Sequence, residues 1–352
     1  MSSASVPPTM RAWRVVRKGE PSKALQFDEN VPVPSKLSPG DVLVKVQAAA
    51  LNPVGYKLMK LLPNFIAKRP HIAEYDLAGV VVDGNGTKWK AGDAVYGMIT
   101  SQQTMKTRQG ALAEYTGLPA SNLLARPSSV PPTQAAGLTL AGLTAYQCLF
   151  RVGGLEPGQS VFVNGGSTAV GAFAIQLAKA VGCTVAASAS GKNEQFVKSL
   201  GADEFFDYTK EPLHKQLEAR APSPKYHLIV EAVGLIDLSI YTHSEAYLAP
   251  GGAFVSVGPQ PNGFDVPAIS KLLWDAFLKP TWLGGTKRAF KIIRVTLVEE
   301  DMQAFGKYVE EGKVKAPVDS VYEFRDVLKA YERMMTGRAT GKIIVKVDPE
   351  AE

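Results

Sequence analysis

Hydrophobic and polar positions divide this chain into two textures. Between residue 10 and about 133, short segments alternate or run apolar between turn residues. The segments 11–16, 41–50, 76–82 and 94–98 read as strands, punctuated by Ser38-Pro39-Gly40-Asp41, Asp83-Gly84-Asn85-Gly86 and Ala91-Gly92-Asp93. This pattern predicts a compact, twisted β-domain. From about residue 134, helical and strand periods alternate. Candidate strands at 161–163, 184–188, 204–206, 227–231, 253–257 and 281–283 predict a doubly wound parallel sheet, so the fold class is α/β. Beyond about 286 come helices at 299–312 and 325–336 and an apolar strand at 341–347, a tail expected to return to the first domain. Residues 1–9, MSSASVPPT, are small and polar and are expected to form a flexible tail; they lack the charged and apolar regions of a signal peptide.

The most informative stretch follows the strand at 161–163. Gly165 and Gly166 come at once, and a helix opens near Ala169. Glycine permits positive φ in the turn and keeps side chains away from an approaching pyrophosphate. The free N–H groups and dipole of the helix start favour phosphate there. Gly165, Gly166, Ser167, Thr168, Ala169 and Val170 are therefore candidate dinucleotide contacts. The match to G-x-G-x-x-G is imperfect: Gly166 and Gly171 fit the outer glycines, and Thr168 stands at the middle one. A tight βαβ turn without a ligand is the plainer alternative. An NAD enzyme places Asp or Glu about 20 residues after the turn. Here the second strand runs into Ala189, Ser190, Gly191, Lys192 and Asn193, with no acid before Glu194. Hydroxyls and a cation suit a 2′-phosphate, so NADP(H) is the expected cofactor. A solvated loop lysine is the competing reading of Lys192.

Composition changes this picture little. The chain has 352 residues, 45% hydrophobic and 20% charged, enough for one or two soluble domains with sizeable cores. The net charge of +6 is spread without a basic run, which favours anionic ligands such as phosphates and makes nucleic acid an unexpected partner. Cys148 and Cys183 read as core thiols, and the four histidines show no metal-ligand spacing. A reducing, cytoplasmic compartment fits. No apolar run reaches about 18 residues, so no membrane span is expected.

The ordered segments ALNPVGYK (50–57), EYDLAGVV (74–81), AGDAVYG (91–97), AGLTAYQCL (141–149), NGGSTAVG (164–171), VKSLGADEFFDY (197–208), EEGKVKAPVDS (310–320) and ATGKIIV (339–345) resemble the zinc-independent quinone oxidoreductases of the medium-chain dehydrogenase/reductase superfamily. The resemblance covers nearly the whole chain and is nearest the zeta-crystallin-like branch that includes the plant chloroplast-envelope homologue. NGGSTA also resembles the turn of fungal enoyl reductases that serve polyketide synthases. The family fold implies a GroES-like catalytic domain from 10–133 and 287–352, and a Rossmann NADP(H) domain at 134–286. It also implies a homodimer paired through the nucleotide domains. Zinc-dependent relatives carry Cys, His and Cys ligands where this chain reads Leu51-Asn52-Pro53, Glu74-Tyr75-Asp76 and Thr139-Leu140-Ala141. No metal is expected, because zinc in such sites wants nitrogen or sulfur donors.

Site residues follow by resemblance. Asn52, Tyr56 and Tyr75 are the catalytic candidates; a turn cap for Asn52 and plain packing for Tyr56 remain alternatives. Relatives often carry Asp where this chain has Gly55. Thr144 matches a family position beside the nicotinamide, Lys342 the C-terminal lysine near the cofactor, and Ser190, Lys192 and Tyr208 match positions around the 2′-phosphate. Val233, Gly234, Val257 and Gly258 end two later strands, where ligands of such sheets sit. The segment 272–290, with Trp274, Phe277, Trp282 and Phe290, reads as a pocket wall, a dimer contact or core. The expected activity is hydride transfer from NADPH to the activated C=C of small hydrophobic α,β-unsaturated carbonyls, or to quinones. A trans-acting enoyl reductase of polyketide synthesis is one alternative. A non-enzymatic, crystallin-like or RNA-associating NADPH-binding protein is another.

Overall fold

The computed structural model describes residues 6–259, 266–283 and 285–351. Most of the predicted tail at 1–9 lies outside them. Contacts divide the chain into one unit of Met1–Leu140 with Lys315–Glu352 and a second of Ala141–Val314.

Eight strands precede the second unit. They are β1 (Thr9–Val15), β2 (Leu25–Pro32), β3 (Asp41–Ala50), β4 (His71–Ile72), β5 (Asp76–Asp83), β6 (Ala94–Met98), β7 (Tyr115–Pro119) and β8 (Leu123–Ala125). The second unit supplies β9 (Ser160–Asn164), β10 (Thr184–Ala189), β11 (Glu204–Asp207), β12 (Tyr226–Glu231), β13 (Leu248–Ser256) and β14 (Ala289–Ile292). The chain then returns with β15 (Val318–Glu323) and β16 (Lys342–Lys346).

In the first unit β15-β16-β3-β5-β6-β8 form one sheet, with β7 also on β3, and β2-β1-β4 form another. The β3 sequence DVLVKVQAAA buries both faces along most of its length, as suits a strand paired with β16, β5 and β7. The core gathers Trp13, Leu51, Leu77, Phe324 and Tyr331. The Trp13 indole Nε1 donates to the Phe324 carbonyl at 2.7 Å, so a buried polar tip finds its partner across 311 residues of sequence.

The second unit holds the parallel sheet β11-β10-β9-β12-β13-β14. Its core packs Phe162, Phe206, Tyr226, Tyr247 and Phe254. The helix Ala169–Ala180 buries Phe173, Ile175 and Leu177, and its first turn is closed by Thr168, whose hydroxyl accepts from the Gly171 N–H. Both cysteines are buried and free.

Two expectations need correction. Residues 281–283 form a short turn, not a strand: the Leu283 N–H bonds back to the Pro280 carbonyl at 3.0 Å. Proline presets such a turn, and β14 takes the sixth place in the sheet instead. The return to the first unit comes at Lys315, later than 287. The reason is the helix Glu299–Glu310, whose Phe305 meets Phe173 edge-on at 6.1 Å between ring centroids. A Cβ at Gly142 would lie 2.2 Å from that Phe305 ring, so the helix is seated tightly in the second unit.

Candidate active site

In the second unit the glycine turn is shaped by close approach. Gly165 has φ +84°, and a Cβ there would lie 2.5 Å from Val233 Cγ2. A Cβ on Gly171 would lie 2.1 Å from the Gly165 carbonyl, so only glycine lets the helix start touch the turn. Gly166 is buried, while Ser167, Thr168, Ala169 and Val170 are half-buried at the helix N-terminus. The first-turn N–H groups of such a helix have no intrahelical partner and suit a pyrophosphate.

A buried carboxylate sets the floor beside this turn. Glu231, at the end of β12, is 2% exposed. It accepts from the N–H groups of Val233 at 2.8 Å, Gly234 at 3.0 Å and Leu235 at 3.2 Å, and from Ser256 Oγ at 3.0 Å. Burial pushes its pKa up and these donors pull it back down. Asn164 Nδ2 approaches it at 3.4 Å, Ser188 Oγ donates to Asn164 Oδ1 at 2.7 Å, and the Gly165 N–H donates to Ser188 Oγ at 3.2 Å. One polar chain therefore runs from the glycine turn across β10, β9, β12 and β13. Val233, Gly234, Val257 and Gly258 lie along it: Val257 N–H donates to the Glu231 carbonyl and Gly258 N–H to Ser256 Oγ. Thr144 is buried in the helix Thr139–Tyr146. Asn164, Ser188, Glu231 and Ser256 were not anticipated from sequence; the available signal was a polar residue closing each apolar strand.

Ser190, Lys192 and Tyr208 follow the paired ends of β10 and β11, where Ala189 faces Asp207. Lys192 and Tyr208 are exposed. Asp207 is a carboxylate the sequence reading did not place here: a Cβ on Gly191 would lie 2.5 Å from its Oδ2. Its Oδ1 accepts from the N–H and hydroxyl of Thr209 at 2.9 and 2.7 Å, which hold its pKa low.

The first unit brings Asn52, Asp76 and Lys342 together. The Lys342 ammonium donates to Leu51 O at 3.1 Å, Asn52 Oδ1 at 2.6 Å and Asp76 Oδ2 at 3.0 Å. All three of its N–H donors are thus engaged inside this unit. Asn52 Nδ2 donates to Ala50 O at 3.2 Å and Asp76 Oδ2 at 3.1 Å, and Asp76 Oδ1 accepts from the Leu140 N–H at 2.8 Å. Asn52 also precedes Pro53 at the start of the helix Pro53–Leu61. Its side-chain amide serves this cluster and makes no cap hydrogen bond to the helix.

Glu74 adjoins the cluster, with φ +62°. That left-handed backbone is costly for a residue with a Cβ. Its Oε2 accepts from the Asn52 N–H at 3.1 Å and its Oε1 from the Tyr331 hydroxyl at 2.5 Å. Burial pushes the carboxyl up to about 8. A Cβ at Gly55 would lie 2.2 Å from Glu74 Oε1, so the Glu74 carboxyl fills the space a side chain at 55 would take. Tyr75 is buried, which raises its phenol pKa; Tyr56 is half-buried on the helix Pro53–Leu61 and raised for the same reason.

Among the described residues no group of three or more His, Cys, Asp or Glu gathers as a metal site. The polar cluster offers oxygen donors only, and Asn52 Oδ1 and Asp76 Oδ2 already hold an ammonium. This donor set does not fit zinc. Nor is any helix among the described residues long and apolar enough to cross a membrane.

A glycine turn against a helix N-terminus, at the carboxyl end of a parallel sheet, defines a dinucleotide-binding oxidoreductase class. Comparison with known proteins gives the family. "Alcohol dehydrogenase GroES-like domain" matches residues 38–128 and "Zinc-binding dehydrogenase" matches 200–345. The chain is 36% identical to the trans-enoyl reductase pgmF of Aspergillus terreus, over 98% of both chains. It is 34% identical to the chloroplast envelope quinone oxidoreductase homolog of Arabidopsis thaliana, over 90% of this chain and 92% of that one. The solved quinone oxidoreductase of Coxiella burnetii superposes with a TM-score of 0.76 at 27% identity, over 96% of this chain and 99% of that one. The chain belongs to the medium-chain dehydrogenase/reductase superfamily, whose members are oxidoreductases that bind a nicotinamide cofactor.

Two outcomes follow from this geometry. Lys342→Met leaves Asp76 buried without its cation and should destabilise the fold by about 3–5 kcal/mol, while adding Asp76→Leu should recover part of that loss; urea unfolding of the two variants measures it. Glu74 binds its proton more tightly folded than unfolded, its pKa standing at about 8 against an ordinary 4.5. Its contribution to stability is complete below pH 4.5 and is lost as pH rises through about 8. Unfolding midpoints measured across that window should fall with pH in the native chain, and Glu74→Gln should remove this component of the fall.

Proposed function

We propose that the protein is an NADPH-dependent reductase of activated C=C bonds in small hydrophobic α,β-unsaturated carbonyls, acting also on quinones. The observation that carries this reading is the Asn52–Asp76–Lys342 cluster, whose oxygen donors close around an ammonium. Holding an alkoxide for dehydrogenation calls for a Lewis acid. Adding hydride to an enone calls instead for orientation and stabilisation of a developing enolate. A nicotinamide held there would supply the hydride for the β-carbon. In this reading Thr144, Val233, Gly234, Val257 and Gly258 shape the nucleotide crevice, and Gly165, Gly166, Ser167, Thr168, Ala169 and Val170 hold the pyrophosphate. Ser190, Lys192 and Tyr208 take the 2′-phosphate, while Asp207 stays ionised and is engaged by its Thr209 donors. Asn52, Tyr56 and Tyr75 are the residues assigned to the substrate and Lys342 to the cofactor, and the Lys342 ammonium holds the Asn52 side-chain oxygen in place.

Substrate class is supported by the names of relatives. Besides the quinone oxidoreductase homolog, a 2-methylene-furan-3-one reductase of Solanum lycopersicum is 34% identical over 99% of this chain and 82% of its own length. The trans-enoyl reductases pgmF and poxH, at 36% and 33% identity, favour a second reading, in which the enone is a carrier-bound acyl thioester. We place the protein in the cytoplasm, with no nucleic-acid partner, as a homodimer paired through its second unit. Support for the dimer comes from edge strand β14 and the neighbouring exposed Phe277, Leu278 and Trp282, the last 81% exposed.

Chelator-treated protein given NADPH and a small enone should form the saturated ketone, identified by mass; no turnover of any enone, quinone or acyl thioester would sink the reading. In the same assay Lys192→Ala should raise the KM for NADPH about ten- to a hundredfold, as expected from ~1.5–3 kcal/mol for a hydrogen bond to a charged group, and leave NADH little changed. Equal effects on both would refute the 2′-phosphate role. Sedimentation should give a dimer that Trp282→Glu with Phe277→Glu dissociates; a monomeric native chain would refute it.

A further inference from the structure

A cavity in the first unit lies against the helix Pro53–Leu61, walled by Leu58 and Met59 of that helix, by Arg69, His71 and Glu74, and by Thr104 of the helix Ser101–Thr107. Three polar atoms belonging to these wall residues are buried without a hydrogen-bond partner: Arg69 Nε, His71 Nδ1 and Thr104 Oγ1. Thr104 is 3% exposed. Orphaned buried polar atoms are uncommon, so three around one cavity call for an occupant.

Each orphan specifies that occupant. The other guanidinium nitrogens of Arg69 already donate to Leu58, Met59 and Leu62 carbonyls and to Asn64 Oδ1, closing the helix end. Only the Nε–H is left, and it needs an acceptor. Burial and the neighbouring Arg69 lower the His71 pKa to about 4, so the ring is neutral, and it bonds the Ala67 backbone. Its Nδ1 then needs a donor. The Thr104 hydroxyl can do either. An anion would meet the imidazole lone pair and the Glu74 carboxyl, and a cation would meet Arg69. The fitting ligand is small, neutral, and both donor and acceptor. The space open to the centre of a water molecule is about 20 Å³, against the ~10–15 Å³ that one water requires.

We propose that this cavity is a built site for a resident water, which joins Arg69, His71 and Thr104 to Glu74 and gives that buried acid its route for proton exchange. Asn52 meets Glu74 with a backbone N–H and Tyr331 with a buried hydroxyl. Lys342, Asp76 and Tyr75 complete its charged and titratable surroundings, and the first two of these are locked together. The cavity is the side on which solvent protons can be handed in.

A crystal structure of the full chain that resolves waters should show one within hydrogen-bond distance of Arg69 Nε, His71 Nδ1 and Thr104 Oγ1. A dry or collapsed cavity overturns the site. Infrared spectra below pH 7 should show a protonated-carboxyl band that Glu74→Gln removes. On transfer to D2O that band should shift, tenfold or more slowly in Thr104→Val and at the native rate in Thr104→Ser. Absence of the band, or equal exchange in Thr104→Val and the native chain, overturns the route even if the water is present.

Discussion

An ammonium buried beside a carboxylate is tolerable only when every proton of the one and every oxygen of the other is matched. Lys342 and Asp76 meet this condition at 3% and 0% exposure, and the rest of the first unit is organised around it. Asp76 opens β5 and faces Ala50 at the end of β3, while Lys342 opens β16, which pairs with the same end of β3. The pair therefore holds three neighbouring strands at one common edge. Asn52 is drawn in as the group that shares both charges, and its backbone N–H in turn anchors Glu74. A change at any of these positions reaches the others, because none has an alternative partner in water.

The second unit solves a similar problem without an ammonium. Among the described residues Glu231 has no ion-pair partner; it is satisfied by successive backbone N–H groups after β12 and by a serine from β13. Such a run of N–H groups is a ready anion cradle, filled here from within. It fixes Val233 against Gly165, so the crevice wall is set before any ligand arrives. Each unit thus uses a buried carboxylate, Asp76 in the first and Glu231 in the second, to hold chain segments at strand ends, where chemistry in this fold class takes place.

Much of the fold was legible because its signals are local. The segments at 41–50 and 94–98 coincide with β3 and β6, and the glycine turn sits between β9 and its helix. Failure came where a decision rests on distant partners. The triplet 281–283 is apolar enough for a strand, yet Pro280 turns it and β13 pairs with β14 instead. Asp207 stands on the strand next to Ser190, and its approach depends on the pairing of β10 with β11, which the residues that follow the second strand do not reveal. Glu74 was read as a remnant of a metal strand. Its left-handed backbone and the room left by Gly55 turn it instead toward Asn52 and Tyr331, a pairing that 257 residues of separation hide.

The sheet order β15-β16-β3 has a consequence for how the chain is made. The strand carrying Lys342 is an inner member of the sheet that the earliest strands begin. As the polypeptide lengthens from its amino end, Asp76 is present long before its counter-charge exists. The second unit, Ala141–Val314, is by then fully available and free to fold as a body of its own. Throughout that interval β3 is paired by β7 along Asp41–Lys45 but its end at Ala48–Ala50 lacks β16, and the tryptophan of β1 lacks the carbonyl of Phe324. Completion of the first unit is thus a closing event in the life of the nascent chain.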